Sequence, residues 1–217
     1  MGGETPKQYL RIGGVPLLAH ALHTLQQATQ IDHIILAVPE ADRDYCKKEI
    51  VARFGVNKVR HIVAGGAQRQ DSVGAALAAV DPTVELVLVH DAVRPFLTID
   101  MIARVCHAAA RHGGAIIAIP VRDTLKAVGA EAHIESTLDR GRLWQAQTPQ
   151  AFRREVLERA HEKARTDHYI GTDEADLVQR IGEPVVVVEG SGENIKITRP
   201  EDLIIGEAIW ASRKEAR

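Results

Sequence analysis

Short apolar runs of strand length alternate with segments of helical period along most of the chain, and this alternation limits the possible folds more than any other feature. From Pro16 to Gln27, Leu17, Leu18, Ala21, Leu22 and Leu25 recur at helical spacing, and the run His33 to Val38 follows, stopped by Pro39. A continuous apolar run of that length is a strand buried on both faces. The pattern repeats with a helix over about 42–54 ended by Gly55, a strand at 59–63, a helix at 71–80 and a strand at 86–89. A helix at 99–111 ended by Gly113-Gly114 and a strand at 115–120 complete it. Strands alternating with helices imply βαβ units with right-handed crossovers, hence a doubly wound, mostly parallel α/β sheet.

After residue 120 the alternation breaks. Two short strand-like segments, 123–128 and 133–138, flank the turn-rich Gly129-Ala130-Glu131-Ala132 and predict a β-hairpin arm projecting from the sheet. Helices at 152–165 and 173–181, strands at 185–189 and 194–198, and a last helix with Pro200 in its first turn follow. We read residues 1–217 as one domain with the arm, 121–150, as an insertion. A doubly wound sheet ordinarily opens with a strand and a Gly-rich phosphate turn, whereas this sequence opens Met1-Gly2-Gly3-Glu4-Thr5-Pro6-Lys7. The expectation is therefore a natural chain longer by about one strand and one loop. Without that strand the ladder groups of its neighbours would be unpaired, at about 1–3 kcal/mol for each buried group.

Composition excludes several classes of function. Aromatic residues make up only 4% of the chain, so Val, Ile, Leu and Ala must build the core. A net charge of −2, from 27 basic and 29 acidic residues spread along the chain, gives no basic footprint for nucleic acid. No apolar run approaches the roughly 20 residues of a membrane span and the N-terminus shows no signal-peptide apolar region, so the expectation is a cytoplasmic protein. Cys46 and Cys106 fall in expected helices without metal-ligand spacing and read as reduced, packed thiols. The ten histidines show no zinc spacing, and no Gly-x-Ser-x-Gly elbow occurs.

Ligands of open α/β sheets bind beyond the C-terminal ends of the strands. The strand Val87-Leu88-Val89 runs directly into His90-Asp91-Ala92-Val93-Arg94-Pro95. A strand-end carboxylate suits Mg²⁺, which takes one or two carboxylates together with substrate phosphates, and Arg94 offers a planar fork to a phosphate. A surface Asp-Arg ion pair would give the same pattern. Gly65-Gly66-Ala67-Gln68-Arg69-Gln70-Asp71-Ser72 leads from a strand end into a helix, either as a nucleotide-binding loop or as an ordinary turn and cap. Lys196, between Ile195 and Ile197, faces either phosphate or solvent. Arg122-Asp123-Thr124 and Arg140 through Gln150, at the two ends of the arm, suit a sugar phosphate or a set of surface ion pairs, with Trp144 a candidate interface anchor. Thr172-Asp173-Glu174 reads as a capping hydroxyl followed by first-turn acids.

Seven motifs then fall in one order: Pro6-Lys7-Gln8-Tyr9-Leu10, Gly65-Gly66 with Arg69 and Ser72, His90 to Pro95, Val121-Arg122-Asp123-Thr124, Ala146 to Gln150, Thr172-Asp173-Glu174-Ala175, and Asn194-Ile195-Lys196-Ile197-Thr198. Together, over almost the whole chain, the sequence resembles the 2-C-methyl-D-erythritol 4-phosphate cytidylyltransferases of the non-mevalonate isoprenoid pathway, apart from the missing opening strand and loop. The resemblance implies a homodimer with interlocking 121–150 arms and Mg²⁺-dependent transfer of CMP from CTP to methylerythritol phosphate. It implies that Lys7 and Lys196 stabilise charge at the α-phosphate and that Asp91 holds the metal. Gly66, Ala67, Arg69, Ser72, Asp91 and Ala92 would line the nucleotide pocket. Arg94, Thr124, Arg140, Thr148 and Thr172 would surround the acceptor, some reaching across from a partner's arm. A ribitol 5-phosphate cytidylyltransferase, or a nucleotide- or sugar-phosphate-binding protein without catalysis, stays open beside this reading.

Overall fold

The computed structural model describes residues 6–215; the opening Met1-Gly2-Gly3, ahead of which a further strand and loop are expected, lies outside them. The chain opens with a single turn at Lys7–Tyr9, then β1 (Arg11–Ile12), β2 (Val15–Pro16), α1 (Leu17–Gln27) and β3 (Ile34–Val38). Next come α2 (Arg43–Tyr45), which continues as a wider π-turn over Cys46–Ala52, then β4 (Val59–Ala64), α3 (Arg69–Leu77), β5 (Leu86–Val89), α4 (Ile99–His112) and β6 (Gly114–Pro120). The arm carries β7 (Lys126–Val128) and β8 (Ile134–Thr137). After it run β9 (Trp144–Arg153), α5 (Arg154–Thr166), α6 (Glu174–Arg180), β10 (Val186–Glu189) and α7 (Pro200–Glu215).

Helices cover both faces of the main sheet, as the βαβ pattern requires. On one face α1 and α4 bury Leu22, Ile102, Val105 and Ala109 with Ala115 and Ile117 of β6. On the other, α5 and α6 bury Leu157, Ala160, Leu177 and Val178 against Ile116 and Phe152. A smaller cluster of Ile12, Leu17, Phe96 and Ile197 seats α7. Cys46 and Cys106 are buried thiols, and burial pushes both up to about 11, as expected of packed rather than reactive cysteines.

Two features depart from the sequence reading. The main sheet has the order β10-β6-β9-β5, and β9 runs antiparallel to both β6 and β5. The stretch Trp144 to Gln150, assigned above to the end of the arm, thus lies in the sheet. The arm leaves β6 at Pro120 and the chain returns opposite it at Trp144, so the returning strand must run backward along β6. The composition of β9 hides this: Gln145, Gln147 and Gln150 carry little strand preference, and the central Pro149 argues against a strand. The register skips between Ile116 and Ala118, and residues 147–149 lie in that irregularity, where a missing N–H is tolerated. The second departure is 194–198, expected as a strand. It forms none, but is tied to its neighbours by Ile197 N–H donating to Val93 O at 2.9 Å and Asn194 Nδ2 to Thr148 O at 2.9 Å.

β3 and β4 form a separate parallel pair. Among the described residues β3 and β5 each have one partner strand, and both line a cavity of about 1020 Å³. Its wall is largely aliphatic, and it also reaches Gln8, Arg69, His90, Asp91 and Lys196. No helix among the described residues is long and apolar enough to cross a membrane.

Candidate active site

Asp91 follows β5 and is the centre of a charged cluster. Its Oδ1 accepts from Arg69 Nε at 3.0 Å, Lys196 Nζ lies 2.9 Å from Oδ2, and Arg94 Nε is 3.9 Å away. The carboxylate is mostly buried, which raises its pKa, but the Arg69 and Lys196 charges outweigh burial and hold it down at about 2. It is therefore a fixed anion near neutral pH.

The loop carrying Asp91 is held from behind by β9. Asp91 N–H donates to Thr148 Oγ1 at 3.0 Å, and the same hydroxyl lies 3.0 Å from His90 Nδ1. Arg94 O can only accept, so the proton of the neutral His90 ring sits on Nε2 and donates to it at 3.1 Å, and the bare Nδ1 accepts from the Thr148 hydroxyl. Burial pushes His90 down to about 4, so the ring is a neutral brace. Thr148, expected around the acceptor, is 4% exposed with its hydroxyl committed to this loop.

Arg94 Nη1 donates to Asn194 O at 2.7 Å, while its buried Nε has no hydrogen-bond partner among the described residues. An unpaired buried guanidinium donor is costly and suits an arriving anion. Asn194 in turn reaches Gln147 Oε1 and Thr148 O, so the segment carrying Lys196 is fixed to the β9 irregularity rather than by a sheet ladder. Lys196 itself is 41% exposed and free to turn toward a ligand.

Arg69 opens α3 and spans the site. Beyond Asp91 it meets Glu174 at the start of α6, with Nη1 2.7 and 3.0 Å from the two carboxylate oxygens. Gly65 and Gly66 are required by the fold of their own loop, since a Cβ on Gly66 would meet Asp71 Cβ at 2.3 Å. Ser72 Oγ accepts Gly66 N–H at 3.1 Å, and Gln68 with Asp71 completes a reciprocal cap on α3. Gly66 and Ala67 remain exposed at the tip, whereas Ala92 packs against the core.

The remaining expected residues lie around this cluster. Lys7 is exposed, and its neighbour Gln8 lines the cavity that Asp91 also lines. Thr172 is exposed two residues before Glu174, with its N–H held by Asp176 Oδ2 at 2.9 Å. The α6 cap is Asp173, which accepts from Asp176 N–H, and not the Thr172 hydroxyl expected above. Thr124 and Arg140 are exposed on the arm, where Arg140 donates to Arg122 O; no hydrogen bond or ion pair joins either to Asp91 among the described residues. Glu174, His90, Asn194 and Gln147 belong to the cluster although none was assigned a role from sequence. Glu174 stood inside a recognised motif, but its first-turn position offered a sufficient explanation by itself.

No grouping of three or more His, Cys, Asp or Glu side chains able to hold a metal ion occurs among the described residues. The donor set around Asp91 is one carboxylate among three cations, which fits an ion that brings most of its oxygen ligands on a polyphosphate rather than one caged by protein.

The family described as IspD, 2-C-methyl-D-erythritol 4-phosphate cytidylyltransferase, matches residues 1–212. A protein of that name from Syntrophus aciditrophicus is 49% identical over 217 residues, covering 100% of this chain and 92% of its own length. One from Pelotomaculum thermopropionicum is 44% identical over 214 residues, covering 99% and 90%. Among solved structures, the 4-diphosphocytidyl-2C-methyl-D-erythritol synthase of Anaerococcus prevotii superposes with a TM-score of 0.87 at 32% identity, covering 95% of this chain and 90% of that one. The cytidylyltransferase of Thermus thermophilus does so at 0.81 and 37%, covering 94% and 93%. With the family match spanning residues 1–212 and relatives of that name up to 49% identical, the chain belongs to the 2-C-methyl-D-erythritol 4-phosphate cytidylyltransferase family.

Proposed function

We propose that this chain transfers CMP from CTP to 2-C-methyl-D-erythritol 4-phosphate, giving 4-diphosphocytidyl-2-C-methyl-D-erythritol and pyrophosphate. The observation that carries the reading is the meeting of Arg69, Arg94 and Lys196 on one carboxylate, Asp91, at the C-terminal end of β5. Nucleotidyl transfer asks a protein mainly for positioning and for positive charge where negative charge gathers. The acceptor phosphate is largely ionised near neutral pH and attacks the α-phosphorus without a protein base. The bond from that phosphorus to the bridging oxygen breaks, and pyrophosphate leaves with the electron pair.

Lys196 turns from Asp91 toward the α-phosphate, and Lys7 supplies a second cation there. Arg94 offers its guanidinium fork to the acceptor phosphate. The exposed tip at Gly66 and Ala67 presents backbone groups to the cytosine, while Arg69, Ser72 and Ala92 border the ribose side. Thr172, Thr124 and Arg140 complete the acceptor pocket, the last two from the arm of a second subunit in a homodimer. Thr148 serves by holding Asp91 in place. Asp91 would hold Mg²⁺ jointly with phosphate oxygens, and the ion when bound would neutralise charge on the nucleotide phosphates. The working location is the cytoplasm, where CTP is available.

Pyrophosphate release from CTP, Mg²⁺ and each candidate polyol phosphate tests this directly. Turnover with methylerythritol phosphate well above that with ribitol 5-phosphate is expected. The reverse preference would overturn the acceptor assignment, and binding of a sugar phosphate without pyrophosphate release would overturn the reaction.

A further inference from the structure

The carboxylate of Glu174 is 1% exposed, and among the described residues its one ion-pair partner is Arg69. Burial raises its pKa and the Arg69 charge works against that rise. A buried acid at a helix start could be explained by the cap alone, but here the cap is Asp173 and the neighbouring amide of Thr172 is held by Asp176. Gln150 also binds this helix start to β9, through Nε2 to Asp173 Oδ2 at 2.8 Å and Oε1 to Ala175 N–H at 3.3 Å. Glu174 is therefore anchored from both chain neighbours, and its side chain is left for Arg69.

The consequence reaches the reacting centre through one guanidinium. Arg69 uses Nη1 for Glu174 and Nε for Asp91, and these groups on a rigid plane cannot move independently. Fixing Nη1 fixes Nε, which occupies Asp91 Oδ1 and leaves Oδ2 to Lys196. We propose that Glu174 is a positioning residue for nucleotidyl transfer: by holding Arg69 it sets which oxygen of Asp91 is shared with Lys196, and so sets where the transferring lysine waits. The proposal rests on the function given above. It also predicts that α3, beside the nucleotide loop, and α6, beside Thr172, act on turnover as a pair although they lie about a hundred residues apart in sequence.

Glu174→Gln keeps shape and one hydrogen bond but removes the charge. The expected result is a fall in kcat of about 10²-fold, as for a misplacement on the order of an ångström, with KM for both substrates changed by less than about threefold. Because Glu174 acts through Arg69, the same substitution placed in Arg69→Ala should cost less than about twofold further. An undiminished loss in that background, or unchanged kcat in the single variant, overturns the proposal. If Glu174→Gln does not fold, Glu174→Asp, which withdraws the charge by one methylene, carries the same comparison. A second readout needs no turnover: the ¹⁵N-labelled Arg69 Nε–H resonance should be protected from exchange in the parent and lose protection in Glu174→Gln. Unaltered protection overturns the proposal even if the parent shows no cytidylyl transfer, whereas inactivity of the parent alone counts against the proposed reaction.

Discussion

Lys196 and Arg94 meet the same carboxylate but differ in burial, and their variants should fail differently. Lys196 is exposed and makes one ion pair with Asp91, so Lys196→Ala removes little that holds the fold. We expect kcat to fall at least about 10²-fold, the size of a lost transition-state charge contact, with the melting temperature moved by no more than about 2 °C. Unfolding of that variant in a thermal melt would show a structural lysine instead. Arg94 is mostly buried and fixed to Asn194 O, so Arg94→Lys keeps a charge but loses the fork. KM for the acceptor should rise about tenfold or more while KM for CTP stays within about twofold; steady-state kinetics with each substrate varied would separate the two. Lys196 is legible only through its motif, since 194–198 forms no strand, whereas Asp91 and Arg94 could be read from sequence because strand ends are where such sheets bind ligands. Glu174 could not, since its partner lies 105 residues away and only the packing of α6 beside α3 brings them together.

At the scale of elements, the apolar strands β3, β5 and β6 follow from their runs of Ile, Leu, Val and Ala, whereas β9 takes its place from the return path of the arm. A second element was also hidden in the sequence. The two-residue turn Gly13-Gly14 joins β1 to β2 with φ of 57° and 78°, the left-handed backbone of a tight hairpin turn. Both glycines avoid a Cβ penalty of about 1–2 kcal/mol, but only at Gly13 would a Cβ strike the Trp210 ring of α7, at 2.0 Å from Nε1. Gly13→Ala should therefore lower the melting temperature more than Gly14→Ala, by at least several degrees; equal shifts in a parallel melt would mean that α7 yields freely. His20 is buried beside the same turn, its Nε2 2.9 Å from Ile12 O and its ring 4.6 Å from Trp210. Burial lowers its pKa below the ordinary 6.5. The unfolded chain then binds the proton more readily, so the stability this ring gives is complete above about pH 6.5 and declines as pH falls below it. Burial lowers the pKa of His90 and His161 in the same way, so His20→Gln should remove part of the decline in urea midpoints taken between pH 7.5 and 5; an unchanged slope would exclude His20 as a contributor.

For the whole molecule, the arm presents Val128, Ile134 and Leu138 to solvent, with Ile134 65% exposed, and Trp144 of β9 is exposed at its base. An exposed apolar set on a two-stranded projection suits burial against a second subunit, since such a hairpin has little core of its own. Arg140 sits on that arm, remote in bonding from Asp91, whereas Lys196 belongs to the inner cluster. If each active site takes Arg140 from the partner and Lys196 from its own subunit, Arg140→Ala and Lys196→Ala damage different halves of one site. Each variant alone should be nearly inactive. Mixed in equal amounts and allowed to exchange, half of the dimers would be mixed pairs carrying one intact site. The mixture should then recover about a quarter of parental turnover per subunit, the share expected of a closed two-fold dimer. Ile134→Glu introduced into both should abolish that recovery and shift the protein to monomer in sedimentation velocity. Recovery absent from a demonstrably dimeric mixture would place Arg140 and Lys196 in the same subunit's site, because only sites divided between chains can be repaired by exchanging chains.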